Sequence, residues 1–501
     1  MSFNSWQFLI FLPLVILIYW LLPHKFRWAW LLLASYFFYA VFSPWLSFLI
    51  LGTTIVSYAG AILIEKKPRF KKLWLTLVIV ICLGALFFFK YFEFLLNSAV
   101  DLINLFPVHV DSPSLRILLP VGISFYTFQT LSYAVDVYRG DYPAEKHFGY
   151  YALFVSFFPQ LVAGPIEKPG ILLPQLKEER HFSPDDFILG LRHLVFGFAL
   201  KCLIADFLGL FVNHVYNDLA SANSLSVFLS AWLFLLEMYC DFGGYSEIAM
   251  GSSRMLGIKL SQNFDEPYLA VSVAEFFRRW HYSLTRWFTQ YLYIPLGGNR
   301  KGKVREGFNK LIVFTLCGLW HGARWTYAIW GLFVGLLAMI EADFILPLIE
   351  KKKAEGVRFD RWWIRWGRRI LVWLIFAPSV SFFRGKDIAE AYQALVIFFT
   401  GFGPNYFQTA FLSLGMGSFR AVFMLILLAV MVLFYRFVYR GIREHRHQDL
   451  VLDAGLLEKA ASLNDLLSGI FIYVFAIVGV ALMWILLISQ NDASAFAYFQ
   501  F

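Results

Sequence analysis

Charge is scarce in this chain. Lys, Arg, Asp and Glu together make up 15% of its 501 residues, against about 25% in soluble globular domains. So few charges cannot cover a water-facing surface, which excludes a soluble enzyme. Cysteine is scarce as well. Cys82, Cys202, Cys240 and Cys317 are the only four, and no C-x-x-C pair occurs, which excludes a disulfide framework or a zinc ribbon. No basic residue precedes Lys25, so the charged n-region of a cleaved signal peptide is missing, and residues 6–22 read as a retained span. No G-x-S-x-G, H-E-x-x-H or Walker loop occurs.

Apolar residues fill the space. They reach 59%, with 20% aromatic and a mean hydropathy of +0.63, so disorder is excluded too. The net charge of +9 sits in short basic runs between apolar segments. That is the pattern of cytoplasmic membrane loops rather than of a nucleic-acid surface.

A span needs about 20 apolar residues to cross about 30 Å of hydrocarbon. Residues 28–64 contain no charge and are interrupted by Ser43-Pro44, so they read as two helices joined by a tight turn. Further windows are 73–89, 117–135, 148–166, 219–236, 421–435 and 470–490, with a weaker one at 371–383. The expected fold is an all-α polytopic membrane protein with roughly 10 to 12 spans plus re-entrant and interfacial helices. It reads as one membrane domain: N-terminal spans over 1–115, a core over 116–349 and C-terminal spans over 350–501. Basic runs at 25–27, 65–72, 300–305, 351–369 and 436–446 are assigned to the cytoplasm, which places both termini outside. The aromatic segment 384–418 then faces outward, either resting in the outer headgroups or presenting a docking surface.

Residues 239–324 are the exception to the apolar rule. They carry Asp241, Glu247, Glu275, Arg278, Arg279, His281, Arg286, Arg300, His321 and Arg324, among others. Ionisable groups at membrane depth are costly and mark interiors or wet cavities. Read as one helix, 271–293 is amphipathic: Glu275, Arg279 and Arg286 share a face, and Phe276, Trp280, Trp287 and Tyr291 occupy another. Glu275 and Arg279 pair structurally, and His281 is either part of an interfacial helix or part of a reaction chamber. The glycine-rich basic loop 296–303, with Asn299 and Arg300, is either a cytoplasmic turn or a cradle for a phosphate-bearing donor.

The segment 309–320 is about 18 Å of helix. It leaves a cytoplasmic run and ends at Trp320-His321-Gly322-Ala323-Arg324, and 325–349 returns to Lys351-Lys352-Lys353. His321 therefore sits at the tip of a helical hairpin, either as a core histidine bridging two helices or as a neutral general base. The H-x-x-x-D at His214 to Asp218 reads as a helix end. Glu444-His445-Arg446-His447 reads as a solvated surface, so no metal is expected.

These stretches occur together in a recognisable order: Pro120 to Tyr126, Asp136 to Gly140, Phe158 to Ile166, Tyr239 to Ser246, Glu275 to His281, Tyr293 to Arg300 and Gly318 to Ala323. In that order the chain resembles the membrane-bound O-acyltransferases, in particular the membrane subunits of bacterial alginate O-acetyltransferases. Gly243 and Glu247 depart from that branch, where serine and aspartate are common. The resemblance implies helices around a central tunnel, His321 as the essential histidine and His281 as a second one. Asp241, Tyr245, Arg278, Arg279, Asn299, Arg300 and Trp320 are read as residues serving substrate or donor. The resemblance also implies acetyl transfer in the bacterial inner membrane, with acetyl-CoA or another acyl thioester as substrate and no bound cofactor. A separate extracytoplasmic SGNH-type, hydrolase-like acetyltransferase partner would pass the group to a polysaccharide. Alginate, peptidoglycan, cellulose and teichoic acid are the candidate polymers. Membrane lipid is the other partner, and nucleic acid is not one. A polysaccharide or lipid transporter without chemistry is the alternative class.

Overall fold

In hydrocarbon a backbone must satisfy its own hydrogen bonds, so an apolar chain of this composition is driven into helices. The computed structural model describes residues 1–415 apart from 108, 112–114, 116 and 360. Every regular element among them is helical. Five helical runs are long and apolar enough to cross a membrane: Pro44–Lys66, Pro68–Ile103, Pro184–Asn217, Ser224–Arg254 and Trp325–Ala354. Two shorter apolar helices, Trp6–Leu21 and Ile388–Thr400, join them. The chain is an all-α polytopic membrane protein. The expected windows 421–435 and 470–490, the basic run 436–446 and the Glu444–His447 cluster lie outside the described residues.

The 28–64 window divides as read, into His24–Ala40 and Pro44–Lys66. Pro44 opens the second helix, where its missing N–H deprives no partner. Three other windows differ from the reading. The 73–89 window continues through a π-helical segment, Phe87–Tyr91, into Phe92–Ile103. The 117–135 window begins only at Ile123, because Gly122 is left-handed at φ +77° and a Cβ there would lie 2.7 Å from the Leu161 carbonyl oxygen. The 148–166 window is not one span. Phe157 leaves the helical region, with φ −52° and ψ 111°, and Pro159 follows at the start of a new turn, so the chain splits into Phe148–Ser156 and Phe158–Leu161.

The described residues group into two units. One holds 1–22, 180–260 and the described chain from Gln393 onward. Within it, Pro184–Phe198 packs against Ser224–Arg254 through paired glycines. A Cβ on Gly251 would lie 2.6 Å from the Gly190 oxygen, and one on Gly197 would lie 2.6 Å from the Gly244 oxygen. Small residues let helices approach this closely where hydrophobic burial gives no drive. Several charges in this unit are paired. Lys201 Nζ lies 2.7 Å from Asp241 Oδ1 and 2.6 Å from Asp206 Oδ1, and His193 Nδ1 lies 2.5 Å from Glu247 Oε2.

The other unit holds 23–179 and 261–392. Its central feature is the helical hairpin Lys303–His321 and Trp325–Ile340. The two limbs meet at glycines: a Cβ on Gly318 would lie 2.2 Å from the Tyr327 oxygen, and one on Gly331 would lie 2.3 Å from the Phe314 oxygen. The expected single helix over 271–293 is broken. Val273–Arg279 and Tyr282–Phe288 are separate helices with His281 at the corner, and a π segment follows at Thr289–Tyr293.

Candidate active site

His321 is the last residue of the Lys303–His321 helix. Gly322 ends it, since a Cβ there would lie 2.3 Å from the Tyr327 ring. The final carbonyls of a helix lack intrahelical donors, and here the π segment supplies them. Tyr91 Oη donates to the Leu319 oxygen at 3.0 Å. Lys90 Nζ donates to the Trp320 oxygen and, at 3.3 Å, to Ser124 Oγ. A cation at a helix C-terminus also suits the helix dipole, and π segments recur at functional sites. Past the tip, Trp325 Nε1 donates to Ser98 Oγ at 3.0 Å. The turn carrying His321 is thus tied to the 68–103 run at three points.

His281 is fixed differently. It is 2% exposed, and its backbone is left-handed at φ +46°, ψ +53°. That region costs a non-glycine residue about 1–3 kcal/mol, and such strain collects at functional sites. Asn263 holds the corner. Its backbone oxygen accepts from Tyr282 N at 2.8 Å, and its Oδ1 accepts from Ser283 Oγ at 2.7 Å and Ser283 N at 3.3 Å. Because Ser283 N can only donate, that side-chain atom is the oxygen. It lies 3.3 Å from His281 Nδ1, so Nδ1 carries the proton and Nε2 is the basic nitrogen.

Trp320 lies close to both histidines. Its ring centroid lies 5.7 Å from that of His281 and 5.1 Å from that of His321. Phe125 closes the His281 side, 6.2 Å from His281 and 5.2 Å from Trp320. Trp330 and Phe383 stand 5.8 and 5.3 Å from His321. Lys90 Nζ sits 5.7 Å from the Trp320 ring, in cation–π range. Trp320 is 4% exposed, and among the described residues its indole N–H has no hydrogen-bond partner. Leaving such a donor unsatisfied costs about 1–3 kcal/mol.

The structure therefore brings together His281, Trp320 and His321 from the set picked out in the sequence. Arg278 is exposed. Arg279 is held by Glu275 Oε1 at 2.8 Å and by the Asp265 backbone oxygen at 3.2 Å. Asn299 and Arg300 are exposed in a turn where Gly297 and Gly298 have φ of +111° and +54°. Asn309 Nδ2 ties that turn down through the Gly298 oxygen at 2.9 Å. Asp241 and Tyr245 belong to the other unit, where Asp241 pairs with Lys201 and Tyr245 stacks on Phe3 at 4.5 Å. Sequence reasoning missed Lys90, Tyr91 and Asn263. Lys90 carried a signal, a lone charge at the end of the apolar 73–89 window. No group of three or more metal-ligating side chains occurs among the described residues.

A family-wide sequence profile described as MBOAT, membrane-bound O-acyltransferase family, matches residues 145–384. That stretch contains both histidines. The probable alginate O-acetylase AlgI of Pseudomonas syringae pv. tomato is 37% identical over 385 residues, covering 75% of this chain and 72% of that protein. The peptidoglycan O-acetyltransferase of Helicobacter pylori is 33% identical over 398 residues, covering 73% of this chain and 72% of that protein. The teichoic acid D-alanyltransferase of Streptococcus thermophilus is 27% identical over 290 residues, covering 54% and 67% respectively.

Proposed function

The chain belongs to the membrane-bound O-acyltransferase family and is an O-acyltransferase, and from that premise we propose that it moves an acetyl group from a cytoplasmic thioester across the inner membrane for O-acetylation of alginate. One observation carries the reading: at the tip of the hairpin Trp320 lies beside His321 of the same helix and beside His281 of the 263–283 corner. His321 is the general base. It takes the proton of the acceptor hydroxyl as that oxygen attacks the acyl carbonyl. His281, with Nδ1 engaged by Asn263, presents Nε2 as a second basic nitrogen that orients the acceptor.

The donor is acetyl-CoA or another acyl thioester, a substrate rather than a resident cofactor. Arg278, Asn299 and Arg300 are exposed and suit the anionic part of such a donor. Arg279 serves the site by bracing the approach to His281. The acceptor side is an extracytoplasmic SGNH-type transferase that hands the group to the polymer. The likeness to the Helicobacter pylori enzyme, over a similar share of the chain, makes peptidoglycan the second polymer to assay.

The test is the His321→Ala protein. Polymer acetylation in cells should fall about 10²–10⁴-fold, the usual contribution of a general base, with membrane insertion unchanged. Near-normal acetylation would reject His321 as the base.

A further inference from the structure

Trp320 carries a buried N–H that has no hydrogen-bond partner among the described residues, on a ring that lies close to both imidazoles of the site. We propose that this indole N–H is the donor that receives the thioester carbonyl oxygen during acyl transfer. The inference rests on the acyl-transfer reading above and adds to it the group that stabilises the developing negative charge.

Three observations support it. Indole is a donor only, so Trp320 takes no part in proton transfer and its N–H calls for an acceptor. A carbonyl oxygen is one, and an orphaned buried donor in a native structure asks for such an explanation. Second, the ring is held in place: Lys90 binds the Trp320 backbone oxygen, and Phe125 and Phe128 pack against the ring at 5.2 and 5.8 Å. Donors fixed before the reaction stabilise an oxyanion without reorganising. Third, Lys90 Nζ lies 5.7 Å from the ring centroid. When it is protonated, that amine draws electron density from the indole and strengthens its N–H as a donor.

The step balances. The acceptor hydroxyl oxygen attacks the thioester carbonyl carbon, a C–O bond forms, and the carbonyl π pair moves onto its oxygen, where the Trp320 N–H donates. His321 holds the hydroxyl proton. Collapse reforms the carbonyl and breaks the C–S bond, and the proton passes from His321 to the departing thiolate. Nothing is oxidised or reduced.

The experiment measures free-thiol release from acetyl-CoA by the purified full-length protein in lipid vesicles. It compares wild type, His321→Ala, Trp320→Phe and a protein carrying benzothienylalanine at 320. The benzothiophene keeps the shape of the bicycle and replaces N–H by sulfur, so packing survives even where the Phe variant folds poorly. Expected is a fall in kcat of about 10²–10³-fold in both Trp320 variants, the cost of one oxyanion donor, with KM within about threefold of wild type. If His321→Ala is inactive while the benzothienyl protein keeps wild-type kcat, the proposal fails and the acyl-transfer reading stands. If wild type releases no thiol, or His321→Ala releases it as fast, the underlying reading fails and takes the proposal with it.

Discussion

Glu167 shows how a single side chain ties the stability of this fold to pH. It lies in the connection before the Pro169–Lys177 helix, outside the spans, and is 1% exposed. It accepts from Ser261 N, and from Ser261 Oγ at 2.9 Å. Burial pushes its carboxyl up to about 7 from 4.5, against the opposing pull of the Ser261 hydrogen bonds and Arg286. The folded protein therefore holds a proton that the unfolded chain releases. The linked stability is fully present below pH 4.5 and is lost as pH rises through about 7. Its size is about 3 kcal/mol, from about 1.4 kcal/mol per pKa unit. Thermal unfolding in detergent should show the midpoint falling between about pH 5 and pH 8. In Glu167→Gln that slope should flatten, and an unchanged slope would assign the pH dependence to another group.

At the scale of elements, the hairpin depends on glycine contact between its limbs. Gly331 has no room for a methyl: a Cβ would sit 2.3 Å from the Phe314 oxygen and 3.0 Å from Thr315 Cα. Gly331→Ala should force the limbs apart, lower stability by about 1–3 kcal/mol and shift the tip that carries His321, so that acyl transfer falls as well. Gly52, inside Pro44–Lys66, has nothing within 4 Å of its hypothetical Cβ. Gly52→Ala should leave both the melting temperature and activity intact, and equal losses in the two variants would refute the contact as the cause. The hairpin itself was legible in the sequence, because two apolar runs between basic runs leave little choice. The corner at His281 was not. A helical period continues across 271–293, and the break depends on Asn263, distant in sequence, which accepts from Ser283 on one side of a left-handed residue. The donors for the Trp320 and Leu319 carbonyls were equally hidden, since Lys90 and Tyr91 lie more than two hundred positions away. Periodicity reports faces within an element; it cannot report which distant side chain completes the end of another.

At the scale of the molecule, the proposed reaction needs a direction, and the direction follows from orientation. Basic loops at 65–72 and 300–305 are assigned to the cytoplasm by the preference of Lys and Arg for that side. Donor thioester then meets the 296–303 turn first, and the acetyl group leaves on the side of the 384–418 segment. Lys67, Lys303 and Asn405 are all exposed, so a cysteine at any of them is within reach of a reagent on its own side. The native cysteines are buried or half-buried, which keeps background labelling low. In intact cells an impermeant maleimide should label Asn405→Cys and spare Lys67→Cys and Lys303→Cys, and all three should label after the membrane is opened. Labelling of Asn405→Cys would place the exposed Phe402 and Phe407, 70% and 68% accessible, on the face where the proposed partner transferase would collect the acetyl group. Labelling of Lys303→Cys from outside would invert the hairpin. The thioester would then have to enter where no cytoplasmic donor exists, and transfer from inside to outside would no longer be tenable for this chain.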